Sequence, residues 1–145
     1  MSLWLKMVAV ILVLVLPGCG SQGGPQRKST YKVTGVVVVD GQPPMAPVQL
    51  VCHTTQGPDT KLPSTSTAIS DADGTFAFST YESGDGVPPG EYTITVTWQE
   101  FRALQMSYSG PDRLKGRYSD PAKSEIKLTV TDSPVELGEL QLKTE

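Results

Sequence analysis

The stretch Glu91-Tyr92-Thr93-Ile94-Thr95-Val96-Thr97-Trp98 alternates polar and apolar side chains without a break. A strand turns successive side chains to opposite faces, so an extended chain satisfies this order and a helix does not. Tyr92, Ile94, Val96 and Trp98 are expected to pack, with Glu91 and the threonines meeting water. The same period returns in Ile126, Leu128 and Val130, set between Lys127, Thr129 and Thr131, and in Phe76 with Phe78. No helical stripe interrupts it from Tyr31 onward. The spacing predicts strands over Tyr31 to Val39, Val48 to Thr54, Thr65 to Ser70, Thr75 to Ser79, Glu91 to Trp98, Glu125 to Thr131 and Val135 to Leu142. Seven short strands predict an all-β, Greek-key-like β-sandwich over residues 31–145.

Two strands carry further information. Val36 to Val39 is apolar on both faces, which predicts a central or interface strand. In the last strand Val135 and Leu137 share a phase that Leu140 and Leu142 do not, so a β-bulge near Gly138 is expected to restore one inward face. Turns are marked by Asp40-Gly41, Asp73-Gly74, Pro88-Pro89-Gly90 and Asp132-Ser133-Pro134.

Before the strands stands a different kind of segment. Met1 to Lys6 carries one Lys, and Met7 to Leu16 runs ten residues without a polar side chain. A membrane-spanning helix needs about 20 apolar residues, so a run this short reads as the core of a signal peptide. Leu16-Pro17-Gly18-Cys19 follows directly and resembles the lipobox of bacterial lipoproteins. That resemblance implies a signal peptide over 1–18, removed on export, and a lipid on Cys19 as the membrane anchor. Residues 20–30, rich in Gly and Ser, read as a flexible tether. Cleavage would remove Lys6 and leave 11 basic against 15 acidic residues, so membrane affinity is expected from the anchor rather than from charge. If Cys19 is lipidated, Cys52 has no partner for a disulfide within the mature chain. The implied location is the cell envelope, outside the cytoplasm. Because no Asp follows the lipidated Cys, the outer membrane is favoured where the host has one.

Within the strand region, Val33-Thr34-Gly35-Val36-Val37, Asp40-Gly41-Gln42-Pro43, Ser70-Asp71-Ala72-Asp73-Gly74-Thr75-Phe76 and Pro89-Gly90-Glu91-Tyr92 occur in order. This frame resembles the carboxypeptidase regulatory-like, or transthyretin-like, β-sandwich family, from about Tyr31 to Trp98. An immunoglobulin-like sandwich is the generic alternative. The transthyretin-like fold includes hydroxyisourate hydrolases, whose chemistry in that family depends on more than one His and a C-terminal tetrapeptide. This chain has one His and ends Leu142-Lys143-Thr144-Glu145, which does not fit that enzyme. Related exported sandwiches crosslink Lys to Asn; this sequence has no Asn, which leaves only a rarer Lys to Asp version, and its turn Asp residues are expected in local backbone roles instead.

Candidate sites are few. Asp71-Ala72-Asp73-Gly74 spaces carboxylates like the start of a calcium loop, but Phe76 and Phe78 continue in strand order, so a turn is expected. Cys52 follows Val48 and Leu50 on the inner face and reads as a small buried hydrophobe, while His53 points the other way, toward solvent. No cofactor or metal is expected. The net charge of -3 does not suit nucleic acid. The connection from Gln99 to Ser124 is long for a compact domain and holds several aromatic and basic side chains. It is expected to form an additional strand or to wrap the sandwich, an extended segment being favoured over a short helix within Gln99 to Ser109. Trp98, Tyr108, Arg113, Lys115, Arg117 and Tyr118 are its candidate binding surface, for an envelope protein or an acidic glycan. The expectation is a non-enzymatic, lipid-anchored envelope module. The competing class is an accessory or regulatory subunit of an exported hydrolase, or a carbohydrate-binding module.

Overall fold

The computed structural model describes residues 24–145. The expected signal peptide, Cys19 and the first part of the tether lie outside the described residues. Nine strands follow one another: β1 Val33–Val39, β2 Gln49–Thr54, β3 Ser66–Ile69, β4 Thr75–Ala77, β5 Gly90–Thr97, β6 Glu100–Arg102, β7 Ser107–Ser109, β8 Lys127–Val130 and β9 Val135–Leu142. One sheet has the order β4-β1-β9, a second β3-β2-β5-β8, and β6 pairs only with β7. The described residues are all-β, in a layered arrangement consistent with a β-sandwich. Six of the nine strands lie within the predicted segments, and β5 overlaps its own but begins one residue earlier, at Gly90. The other two form a hairpin inside the 99–124 connection, where a three-residue period is too short to register as alternation.

Two expected strands start later than their patterns do. Tyr31 makes only an isolated bridge to Val87, and β8 starts at Lys127, with Ile126 just before it. The core joins both sheets: Val33, Val37, Val39, Phe76 and Leu142 from one meet Leu50, Cys52, Tyr92, Ile94, Val96, Leu128 and Val130 from the other. Phe76 and Phe78 meet edge to face, with centroids 5.6 Å apart. Burying side chains of this size contributes about 1.5–3 kcal/mol each, the main force holding the layers together.

β1 is central, antiparallel to β4 and parallel to β9, and its Val36 and Val38 are half-buried on the second face. A step of two residues on β1, from Thr34 to Val36, faces a step of three on β9, from Glu136 to Glu139. Gly138, at φ 68°, takes up the extra residue in a bulge. Val135, Leu137, Leu140 and Leu142 accordingly all reach the core.

The turns explain why their residues are what they are. At Asp40-Gly41 both residues have positive φ, 50° and 80°, and Val39 and Gln42 exchange backbone bonds of 2.8 and 2.9 Å across them. Asp73 accepts from the Thr75 amide and hydroxyl at 2.9 and 2.6 Å, and the Thr75 hydroxyl holds its carboxyl below the usual range, helped by that amide. The Asp71–Gly74 segment is therefore a turn. The Tyr92 hydroxyl donates to the Pro88 carbonyl at 2.9 Å, pinning the loop that enters β5.

The threonine face of β5 does not meet water, for Thr93 and Thr95 are 5% and 6% exposed. Lys127 Nζ reaches the Thr93 hydroxyl at 2.9 Å, and His53 Nε2 lies 2.8 Å from that of Thr95. Side chains from β2 and β8 fold across the outer face of the strand between them and shield it.

Candidate functional site

The connection after β5 is built around one carboxylate. Asp112 Oδ1 accepts from the Trp98 amide at 2.8 Å and the Leu114 amide at 3.0 Å, while Oδ2 accepts from the Gly116 amide at 3.0 Å. The Arg113 amide donates to the Trp98 carbonyl at 3.0 Å. These bonds fold residues 112–116 into a turn against the end of β5, with Lys115 at φ 56° and Gly116 at φ 71°. Leu114, fully buried, drives the turn into the core.

On this turn the Arg113 guanidinium lies 5.0 Å from the centre of the Trp98 ring and pairs with Glu100 at 3.0 Å. A cation held against an indole face at an exposed site contributes about 0.5–1 kcal/mol. Trp98 is half-buried, and among the described residues its Nε1 is the buried side-chain donor without a partner. The β6–β7 hairpin rises from this base. Phe101 pairs across the strands with Tyr108, ring centroids 5.3 Å apart. Its turn is closed by Gln105 to the Arg102 carbonyl at 3.0 Å and Met106 to the Ala103 carbonyl at 3.3 Å. Leu104 and Met106 stand in solvent, 103% and 79% exposed.

The six predicted residues thus divide. Trp98 and Arg113 belong to one cluster, Tyr108 stands on the hairpin against Phe101, and Lys115 sits exposed on the same turn as Arg113. Arg117 and Tyr118 turn elsewhere: Arg117 donates to the Glu145 carbonyl, and the Tyr118 hydroxyl accepts from the Lys143 amide at 3.0 Å. They hold the C-terminal segment, together with Asp40, which binds Thr144. The short helix weighed for Gln99 to Ser109 is absent, because Phe101 and Tyr108 find each other across a hairpin. Sequence reasoning missed Glu100 and Asp112. Asp112 follows Pro111 two residues before an apolar Leu, a turn-initiating order that could have marked it.

The remaining polar candidates are structural. Cys52 is buried, and desolvation pushes its thiol up to about 12. His53, expected on the solvent side, is half-buried and tied to Thr95. At the other end of the sandwich, Arg27 pairs with Glu82 at 2.8 Å and packs on the Tyr81 ring, and Lys28 Nζ meets Asp59 at 2.7 Å. The Lys28 bond, aided by the Leu62 and Lys61 amides, lowers the Asp59 carboxyl to about 2.

No protein-family model and no curated protein matches this chain. Among solved structures it is similar to a 9R-lipoxygenase from Cyanothece PCC8801, with 12% identity and a TM-score of 0.37 over 82% of this chain and 18% of that one. The chain spans less than a fifth of that protein's length, and a likeness at this level carries no activity across. The expectation of a non-enzymatic chain is withdrawn on chemical grounds, because carboxylate, Lys and Tyr side chains also serve as acids and bases and a single His does not exclude catalysis.

Proposed function

We propose that this chain is an exported lipoprotein of the bacterial envelope, held on a membrane by lipid at Cys19. On this reading its sandwich is of the carboxypeptidase regulatory-like, transthyretin-like kind, and the connector after β5 is its binding face for an anionic envelope ligand, an acidic glycan or a protein. The observation that carries the binding reading is the turn built by Asp112, which holds Arg113 against Trp98 and presents Lys115 beside a projecting aromatic hairpin. Local charge supports it. Arg102, Arg113 and Lys115 stand against Glu100 and Asp112 in this connector, a net of +1 on a chain of net charge -3. A positive face on an acidic chain steers anionic partners toward that face. The anchor rests on the Leu16-Pro17-Gly18-Cys19 motif at the end of an apolar run. Each buried CH₂ of an acyl chain adds about 0.8 kcal/mol of membrane affinity.

Two measurements test the two halves. Cells fed a clickable fatty acid should label the protein and should not label the Cys19→Ala variant; equal labelling removes the anchor. Titration with an acidic polysaccharide should bind the parent about tenfold more tightly than the Arg113→Ala/Lys115→Ala variant. Equal affinity, with folding intact by circular dichroism, removes the connector as the binding face.

A further inference from the structure

The β6–β7 hairpin carries an apolar tip that packs on nothing else in the domain. Leu104 and Met106 are almost wholly in solvent, and Phe101 is 50% exposed. From Phe101 to Pro111 the only charged residue is Arg102, which makes no ion pair among the described residues. Glu100, at the base, is neutralised by Arg113. The tip's amides at Gln105 and Met106 are bonded internally, which lowers the cost of desolvating them. An exposed tip of about six residues is too small for a stable protein interface, which buries about 800 Å² per partner. Insertion at a lipid headgroup boundary needs only a few apolar side chains and a nearby cation.

The hairpin also stands at a defined pole. Residues 27–31 contact the domain at the start of β5, where Tyr31 bridges Val87 and Lys28 meets Asp59. The hairpin begins three residues after β5 ends. Eight residues of strand separate these ends by about 25 Å. Resting on the proposal that Cys19 carries the anchor, we propose that the β6–β7 hairpin is a second membrane contact, inserting Leu104 and Met106 into an anionic lipid surface at the pole opposite the one where residues 27–31 meet the domain.

The test uses the full chain reconstituted into phosphatidylcholine vesicles and mixed with dye-filled vesicles containing phosphatidylglycerol. The parent should cluster the two populations, and Leu104→Asp/Met106→Asp should raise the concentration needed by at least about tenfold. Both positions are exposed at a turn, so the fold should survive, as checked by thermal melting. Equal clustering by the double variant, or none by the parent, overturns the proposal. A photo-crosslinker at position 104 that captures a protein in cells, without vesicle clustering, overturns it in favour of a protein partner. Flotation with the first vesicles, before the second are added, reads anchoring separately. A chain that fails to float counts against the anchor, and the hairpin is then scored by flotation of parent and double variant with the phosphatidylglycerol vesicles alone. Equal flotation there also overturns it.

Discussion

Asp112 is where the connector is most exposed to a single change. In Asp112→Ala the amides of Trp98, Leu114 and Gly116 lose their acceptor together. Gly116 is exposed and recovers a water bond, at a cost of about 0.5 kcal/mol. The Trp98 and Leu114 amides lie in half-buried surroundings, and leaving each unmatched costs about 1 kcal/mol. The sum is about 2.5 kcal/mol. For a cooperative unit of about 120 residues the unfolding entropy is about 0.25 kcal/mol/K, so the melting temperature should fall by about 10 °C. Asp112→Asn separates the bonds. Its remaining oxygen can still serve Trp98 and Leu114, while its amide nitrogen cannot accept from Gly116. A loss of about 0.5–1 kcal/mol, or about 3 °C, is expected. Urea unfolding followed by tryptophan fluorescence measures both, and amide exchange at 98, 114 and 116 locates the change. If Asp112→Ala melts with the parent, or if the Asn variant loses as much as the Ala variant, the carboxylate does not organise this turn.

Three more perturbations probe other parts of the molecule. In Gly74→Ala the new Cβ would lie 2.1 Å from the Val37 carbonyl oxygen at a φ of 92°; a loss of about 3 kcal/mol or more is expected in urea, and a parent-like midpoint would refute the close approach. The Cys52 thiol titrates at about 12 in the folded chain against 9.0 for the free group. The unfolded chain therefore sheds its proton first, and stability should fall between pH 9 and 12 by up to about 1.4 kcal/mol per pH unit from this group. Unfolding of Cys52→Val across that range should lack this extra slope; an unchanged slope would show that the thiol is not shielded. For Asp59, lowered to about 2 from 3.8, the ionised carboxyl and its contact with Lys28 should persist as pH falls through 3.8 and be lost near 2. Carboxyl chemical shifts should show that titration moving upward in Lys28→Ala, and no movement would place the lowering elsewhere.

Local periodicity was enough for most of the framework because β-strands write their faces into alternate residues. The Gly138 bulge is an example: the change of phase between Leu137 and Leu140 already required an extra residue, and β9 has it. The burial of Cys52 was legible for the same reason. The hairpin was not, since six paired residues carry too little period to distinguish from loop. Shielding of Thr93 and Thr95 depends on His53 and Lys127 arriving from neighbouring strands, and alternation along β5 has no information about them.

The candidate surface divides along the same line. Its residue types stand together in the sequence, so a basic and aromatic connector could be read directly. Which of them converge could not. Arg113 reaches Trp98 because Asp112 bonds the amide of a residue 14 positions earlier, and Tyr118 turns away to meet Lys143, 25 positions later. By itself the sequence determined an all-β chain, its turns and its inward faces, because those follow from side-chain alternation and backbone φ within a few residues. Only the tertiary structure decided that Trp98, Glu100 and Arg113 form one cluster and that Leu104 and Met106 are left uncovered. Those outcomes depend on contacts between segments that share no local pattern.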